Sequence, residues 1–231
     1  KNAAQSIQSV LWHAGISKID TLVISHMDKD HFNAIPHLVR QTPIERCVIA
    51  DATVLLGRKW PGFERVLRDA GIRIEQCRTG TIFTPTTNTK VHVRFTGKEL
   101  VQSNDNARST VLEIKIYDQS LLLAGDIEGD GLEILTRQPI NKTTVLLAPH
   151  HGSLHSSPEK FAAWCRPSLT IASTGRHRIP TRVITAYSAN HQGLPSLLLS
   201  THRHGCITVD FTPDGIKCMP LFPNGMDQSR R

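Results

Sequence analysis

The chain has 231 residues, a formal net charge of +7 and a sequence pI near 9.4. Its hydrophobic content of 39% is enough to bury a core, which excludes a chain with no folded domain. No apolar run approaches the roughly 18 residues that a bilayer-spanning helix needs, and the first residues lack a signal-peptide pattern. The positive charge favours an anionic partner, with nucleic acid as the leading candidate and solvated surface charge as the alternative.

Up to residue 77 the sequence predicts helices that alternate with strands. Helices are predicted over residues 3–14 and 63–70, and each is followed by a glycine, which is typical of a helix end. Apolar runs predict strands over residues 19–24, 44–50 and 72–77.

The middle of the chain predicts antiparallel strands. Residues 79–101 are rich in Thr and alternate polar with apolar side chains, and we interpret residues 91–95 as an edge strand. Residues 109–117 and 121–124 predict a hairpin. The later predicted elements are helices over residues 158–164 and 180–189 and a strand over residues 169–172.

Sheet segments with helices between them indicate an α/β or α+β architecture. We expect one folded domain over residues 1–219. The residues from 220 to 231 are predicted to be a disordered tail.

The segment that follows the strand at residues 19–24 is the strongest functional signal in the chain. It reads Ser-His-Met-Asp-Lys-Asp-His and contains His26, Asp28, Asp30 and His31. Imidazole nitrogens and carboxylate oxygens together suit zinc, manganese or iron, and a turn after a strand would aim them at one or two ions. A polar loop with histidines by chance is the alternative, but such loops rarely have H-x-D-x-D-H spacing.

Two later strands end in residues of the same kind. Asp126 follows the apolar residues 121–124, and His150 and His151 follow the apolar residues 145–148. Asp126 on its own could be the N-cap of a helix. The order of the three strand ends along the chain is more specific for a metal site than any one of them.

The cysteines do not suggest a further site. They are odd in number, show no C-x-x-C spacing, and lie at positions 47, 77, 165, 206 and 218. Cys47, Cys77 and Cys206 lie in apolar, strand-like runs where small buried thiols are common. We therefore interpret the cysteines as structural, with neither a disulfide framework nor a sulfur metal site.

The order of motifs resembles the metallo-β-lactamase superfamily. Within it, the chain is most similar to the carboxyl-terminal domain of the ComEC family, membrane proteins through which naturally competent bacteria take up DNA. The segments that carry this resemblance are residues 25–31, 103–109, 122–128, 149–153 and 201–209. Together they extend over most of the chain.

The resemblance implies an αββα sandwich with its site at the loop-bearing edge. It implies one ion held by His26 and Asp28, a second held by Asp30, His31 and either His150 or His151, and Asp126 as the bridge between them. Asp30 and Asp126 are the residues expected to be catalytic. The resemblance also places a substrate loop at residues 103–109, with Asn104 and Ser109 as substrate-binding residues.

The chain departs from the family pattern at several places. The short hairpin that opens such domains is missing from the start of this sequence. The late Gly-His-Pro-like segment is Arg-His-Arg-Ile-Pro at residues 176–180, which moves or removes one imidazole. The further histidine that commonly serves the first ion has no clear counterpart, because His37 and His92 are better interpreted as structural.

Three functions remain open at this point. The first is a nuclease that uses one or two Zn or Mn ions to cleave DNA during uptake, attached to a membrane channel upstream of this chain in the inner membrane. The second is a hydrolase of small phosphoesters, esters or lactams, which would need a closed pocket. The third is a weakly catalytic DNA-binding module of the uptake channel.

His202 and His204 could contact phosphate, but a plain polar turn explains them equally well.

Overall fold

The computed structural model describes residues 2–56, 60–175, 178–189 and 196–225. Within these ranges the strands are β1 (Ile19–Ile24), β2 (Ile44–Ala50), β3 (Arg73–Cys77), β4 (Ile82–Thr86), β5 (Thr89–Phe95), β6 (Val111–Ile116), β7 (Gln119–Leu123), β8 (Val145–Leu147), β9 (Leu169–Ala172), β10 (Leu197–Ser200), β11 (Ile207–Thr212) and β12 (Gly215–Pro220). The helices are α1 (Asn2–His13), α2 (Lys29–Phe32), α3 (Ile35–Leu38), α4 (Asp51–Leu56), α5 (Trp60–Asp69), α6 (Gly129–Leu135), α7 (Pro158–Cys165), α8 (Thr181–Ser188) and α9 (Thr201–His204).

The strands form two main sheets. The first sheet is parallel, with the order β1-β2-β3. The second sheet has the order β10-β9-β8-β7-β6-β5-β4, and it is antiparallel from β4 to β7 and parallel from β7 to β10. Parallel neighbours need a crossover connection, which α2–α5 supply in the first sheet and α6–α8 supply in the second.

The two sheets pack face to face. Val48 of β2 lies in one buried cluster with Val93 of β5 and Leu112 of β6, so this cluster is the core between the sheets. Successive side chains of a strand point to opposite faces, and the neighbours Cys47 and Ile49 accordingly face away from that core. They pack instead with residues of α1, α3 and α5, which cover the outer face of the first sheet.

Helices also cover the outer face of the second sheet. Leu122 of β7 and Leu146 of β8 are fully buried in a cluster with Phe161 of α7 and Val183 of α8. Complete burial of such a side chain stabilises the fold by roughly 1.5–3 kcal/mol. The layers are therefore helix, sheet, sheet, helix, which confirms the predicted αββα sandwich.

The hairpin of β11 and β12 lies on the inner face of the second sheet. Its residues Val209 and Phe211 pack against the buried cluster of Val145, Leu169 and Leu199. These three residues come from β8, β9 and β10, the parallel half of the sheet. The hairpin thus covers apolar surface of the second sheet on the side that faces the first sheet.

The loops after β1, β7 and β8 converge at one edge of the sandwich. The N–H of Thr110 donates to the carbonyl of Ser25 (2.8 Å), which joins the end of β1 to the start of β6. The N–H of His150 donates to the carbonyl of Gly125 (3.0 Å), which joins the loop after β8 to the loop after β7. Because these strands belong to different sheets, the sandwich brings together residues that are far apart in sequence.

Three smaller expectations differ from the structure. Residues 91–95 were expected to be an edge strand, but β5 pairs with β4 on one side and β6 on the other, because the preceding Thr-rich segment also forms a strand. His202 and His204 lie in the one-turn helix α9 and not in a hairpin turn. Cys206 is exposed because it precedes β11 and does not lie inside it, whereas Cys47, Cys77 and Cys165 are buried.

Two features concern the limits of the described chain. β12 ends at Pro220, and residues 226–231 lie outside the described residues, so the predicted domain bounds stay a prediction. Across the described residues, no helix combines the length and the apolar character that crossing a membrane requires.

Candidate metal centre

Four side chains from the segments that follow β1, β7 and β8 meet at the edge of the sandwich. Ligand atoms of Asp30, His31, Asp126 and His151 all lie within 4.8 Å of one another. The Oδ2 atom of Asp126 is central, at 3.2 Å from Nε2 of His31 and 3.8 Å from Nε2 of His151. Two carboxylates and two imidazoles at this spacing are a donor set that suits a divalent transition metal ion.

His26 lies deeper, beneath this four-residue cluster. Its side chain is 2% exposed, and its Nδ1 lies 3.1 Å from Oγ of Ser25 and 3.3 Å from Oγ of Ser109. Its Nε2 is buried and has no hydrogen-bond partner among the described residues, while Oδ2 of Asp28 is 3.9 Å away. A buried polar atom without a partner is costly, so an unpaired nitrogen turned towards carboxylates fits a site meant for a cation.

Burial and charge set the protonation of the two inner histidines in the metal-free chain. Burial, and then the charge of His31, lower the pKa of His26 to about 4, so His26 is neutral near pH 7. Burial also opposes protonation of His31, but its hydrogen bond to Asp126 and the charges of Asp126 and Asp30 outweigh that effect and raise its pKa.

Asp126 has the complementary shift. Burial alone would raise the pKa of its carboxyl group, but the hydrogen bond from His31 and the nearby histidine charges outweigh burial and hold that pKa below its usual value. Asp126 is therefore ionised at neutral pH, as a metal ligand must be. It is not a helix N-cap, because the N-cap position of α6 is occupied by Glu128.

His150 and His151 have an unusual backbone. Both are left-handed, with φ values of 49° and 55°, a conformation that costs non-glycine residues free energy. The two rings point apart, with centroids separated by 6.5 Å. Nδ1 of His151 bonds the carbonyl of Ser173 (3.0 Å), whereas Nδ1 of His150 bonds Oε2 of Glu128 (3.1 Å).

The two histidines therefore differ in position relative to the four-residue cluster. His151 belongs to it, and its Nε2 is also 3.8 Å from Oδ2 of Asp30. His150 lies beside it, with Nε2 at 3.9 Å from Oδ2 of Asp126. Of the alternatives left open by the sequence, this geometry favours His151 as the residue that completes the set of Asp30 and His31.

The segment 103–109 occupies two different environments. Asn104 is exposed, and its side-chain amide donates to Oε1 of Glu128 (2.9 Å). Ser109 is fully buried, and its Oγ accepts from the backbone N–H of Asp126 (3.1 Å). This hydroxyl group lies behind His26 and Asp126, where it supports the expected ligands, and substrate binding by Ser109 stays a prediction.

Sequence reasoning did not predict which residues support the expected ligands from behind. Ser25, Ser109 and Glu128 each hold a histidine through its Nδ1 atom. Ser25 precedes His26, and Glu128 lies two residues after Asp126. This closeness to an expected ligand was the only signal in the sequence for their supporting role. Their contacts depend on loops from both sheets, so spacing along the chain could not reveal them.

Other residues singled out from the sequence lie apart from the cluster or outside the described residues. His37 is exposed on α3 and His92 lies within β5, so neither joins the four-residue cluster. Arg178 lines a groove of about 720 Å³ together with His150 and His151. Arg176 and His177 lie outside the described residues.

Comparisons with known proteins agree with this geometry. The family model described as "Metallo-beta-lactamase superfamily" matches residues 3–163, which is more than half of the chain. ComE operon protein 3 of Bacillus subtilis (strain 168) is 30% identical over 204 residues, covering 84% of this chain and 25% of that protein. Competence protein ComA of Neisseria gonorrhoeae is 26% identical over 213 residues, covering 90% of this chain and 28% of that protein.

The chain thus spans about a quarter of the length of these curated relatives. Among solved structures, a CmlA beta-hydroxylase E377D mutant aligns with a TM-score of 0.53 at 13% identity, over 79% of this chain and 43% of that one. At this identity the likeness concerns the fold alone. The family match, the sandwich and the His/Asp cluster together establish that the chain belongs to the metallo-β-lactamase superfamily and, within it, is similar to competence proteins.

Proposed function

We propose that this domain is a metal-dependent nuclease that cleaves DNA phosphodiesters during DNA uptake. The observation that carries the proposal is the convergence of Asp30, His31, Asp126 and His151 within 4.8 Å at the open edge of the sandwich, in a chain with a net charge of +7. The competence relatives supply the biological setting.

The proposed ligands divide into two groups. One ion would be held by Asp30, His31, Asp126 and His151, and the second would be held by His26 and Asp28 with Asp126 between them. When bound, such ions acidify water towards neutral pKa and neutralise charge that develops on a phosphate. We propose Zn²⁺ or Mn²⁺, and we favour Mn²⁺ because two carboxylates in the H-x-D-x-D-H segment make the site rich in hard oxygen donors.

The side chains of the site fix the position of one proposed ligand and leave others accessible to substrate. Ser25 and Ser109 hold His26 from beneath, so its ring needs no reorganisation when an ion is bound. Asp30 and His151 form the accessible side of the cluster, since their side chains are 67% and 46% exposed. Asp30 and Asp126 are the residues that we propose to be catalytic, one on the accessible side of the cluster and the other at its centre.

The same exposure favours a polymeric substrate over a small one. A hydrolase of small phosphoesters or lactams is expected to enclose its substrate within a pocket. In the described part of the chain, the cluster instead adjoins the groove lined by His150, His151 and Arg178. An open groove with an arginine beside the ligands suits a phosphate backbone that passes across the site.

A weakly catalytic DNA-binding module is the remaining alternative. It would not require a His/Asp donor set aimed at a common point, and the left-handed pair His150 and His151 would be backbone strain without a function.

We further propose that the domain acts with a membrane channel formed by another part of a longer protein, at the inner membrane.

Incubation with DNA tests the nuclease proposal. The chain, loaded with Mn²⁺ or Zn²⁺, is given single-stranded and double-stranded DNA, and cleavage that depends on the metal is expected. Asp30→Ala should abolish cleavage, while Asp20→Ala, which removes an exposed carboxylate on β1 paired with Lys18 (3.0 Å), should leave it unchanged. Ready hydrolysis of a lactam or a small phosphodiester, with DNA left intact under each metal, would reject the proposal.

A further inference from the structure

One carboxylate next to the metal cluster has both of its oxygens committed to neighbours. Oε2 of Glu128 bonds Nδ1 of His150 (3.1 Å). Oε1 of Glu128 accepts from Nδ2 of Asn104 (2.9 Å) and from Nδ2 of Asn106 (3.4 Å). The glutamate side chain is only 17% exposed, so water competes weakly for these contacts.

The bond to Glu128 determines which nitrogen of His150 carries the proton and which nitrogen faces the metal cluster. An imidazole that donates from Nδ1 to a carboxylate keeps its proton there and leaves the lone pair of Nε2 free. Nε2 of His150 is 3.9 Å from Oδ2 of Asp126, so the free lone pair faces the central carboxylate of the cluster. Without the glutamate, neither the tautomer nor the ring orientation of His150 would be fixed by a charged partner.

The segment 103–109 is in turn anchored by its own contacts. Arg108 is buried and bonds Oδ1 of Asp105 (2.6 Å) as well as the carbonyl of Leu100 (3.1 Å). Oδ1 of Asn104 accepts from the backbone N–H of Ala107 (2.8 Å), which fixes the direction of its amide. The Asn104 amide is thereby aimed at Glu128, and Nδ2 of Asn106 reaches the same oxygen at the longer distance of 3.4 Å.

We propose that Glu128 is the positioning residue for His150, and that Asn104 and Asn106 position Glu128. The segment 103–109 then serves to orient a histidine beside the four-residue cluster, and Asn104 acts on that histidine and not on the substrate. The relay runs from the asparagine amides to the Glu128 carboxylate and from that carboxylate to Nδ1 of His150. This inference rests on the proposed metal centre, but its first test needs neither metal nor DNA.

The tautomer of His150 in the metal-free chain is measured by two-dimensional ¹H–¹⁵N NMR of the histidine side chains. In the unmodified chain, His150 is expected to be protonated at Nδ1. In Glu128→Gln the carboxylate acceptor is lost, and a shift towards the tautomer protonated at Nε2 is expected. Asp130→Asn is the matched control, because the Asp130 carboxylate also bonds the segment 103–109, through Oγ of Ser103 (3.2 Å), and has no hydrogen bond or ion pair with a histidine of the described residues.

Metal affinity is the second readout, measured by titration with Mn²⁺ or Zn²⁺ alone. Glu128→Gln should weaken binding, and by no more than His150→Ala does, because Glu128 acts on the ion only through His150. Asn104→Ala should weaken it by less and in the same direction, and Asp130→Asn should leave it unchanged. If Glu128→Gln does not fold, Asn104→Ala provides the same measurement, because it removes an amide that donates to Glu128.

An unchanged tautomer in Glu128→Gln would overturn the inference, and so would a loss of metal affinity in Glu128→Gln that exceeds the loss in His150→Ala. Either result leaves the nuclease proposal untouched, because DNA cleavage by the unmodified chain is a separate measurement. Conversely, the DNA-cleavage test can fail while Glu128→Gln changes both the His150 tautomer and the metal affinity. That result would reject the nuclease proposal and support Glu128 as the positioning residue.

Discussion

At the scale of single residues, the Asp126 carboxylate lies among three of the expected histidine ligands. Its Oδ2 atom is within 3.9 Å of nitrogens on His31, His150 and His151. In a metal-free chain this carboxylate also balances the charge of His31. Since Asp126 is also proposed to lie between the two ions, its substitution should affect both ion sites at once.

Asp126→Ala should reduce bound metal to near background, because both proposed ions share this carboxylate. The measurement is elemental analysis of protein purified without chelator, with Asp20→Ala as the control for loss of an exposed aspartate. Removal of the carboxylate also leaves His31 without its partner, so circular dichroism should accompany the analysis. Unchanged metal stoichiometry in Asp126→Ala would contradict the ligand assignment.

The adjacent histidines give a second prediction at this scale. His151 belongs to the four-residue cluster and His150 lies beside it, held by Glu128. His151→Ala should therefore weaken metal binding by at least ten times more than His150→Ala. Titration with Mn²⁺ decides this, and equal losses in the two variants would show that the left-handed turn does not separate their roles.

At the scale of secondary-structure elements, short apolar strands were the most predictable part of the chain. β1, β2 and β9 begin and end at the predicted residues, since each is a short segment of mostly apolar side chains. The neighbours of a strand were less predictable. Alternation along residues 91–95 indicates one buried face, but it does not say whether a second strand pairs on either edge, and β4 does so here.

The candidate site also has a part that the sequence predicts and a part that it does not. The residue types at the ends of β1, β7 and β8 pointed to His26, Asp30, His31, Asp126 and the histidine pair before the fold was known. Two facts could not be derived from spacing. Ser109 faces inward because β6 begins beside the end of β1, and Glu128 reaches His150 because the backbone of His150 bonds Gly125.

The packing of α6 against the segment 103–109 gives a prediction about stability. A Cβ atom added at Gly131 of α6 would lie 1.8 Å from the carbonyl oxygen of Ala107, a distance that backbone atoms cannot tolerate. Gly131→Ala should therefore destabilise the domain by several kcal/mol, since overpacking costs typically about 1–3 kcal/mol even where side chains can adjust.

Gly62→Ala is the matched control for that substitution. Gly62 lies in α5 with nothing within 4 Å of an added Cβ atom, so the change should be stabilising by up to about 1 kcal/mol. Denaturant unfolding of both variants measures the two free energies. A Gly131→Ala variant as stable as Gly62→Ala would mean that α6 is free to move away from the segment 103–109.

At the scale of the whole molecule, charge is distributed unevenly. The chain carries a net charge of +7, yet the immediate site is acidic, with Asp28, Asp30, Asp126 and Glu128 around the histidines. An acidic centre attracts divalent cations but repels a phosphate backbone while it is empty. The excess of basic residues elsewhere would then contribute long-range attraction to nucleic acid.

This division predicts how DNA binding should depend on salt. Each phosphate neutralised by a cation releases condensed counterions, so the logarithm of the binding constant should fall linearly with the logarithm of salt concentration, by about 0.9 per contact for duplex DNA. Arg178 lines the groove beside His150 and His151, and Arg178→Ala should reduce this slope by about one. Arg68→Ala, on α5 and paired with Glu64 (2.6 Å), should leave the slope unchanged. Fluorescence anisotropy with labelled DNA and the cleavage-deficient Asp30→Ala chain provides the measurement, and binding that is insensitive to salt would contradict a phosphate-led interaction.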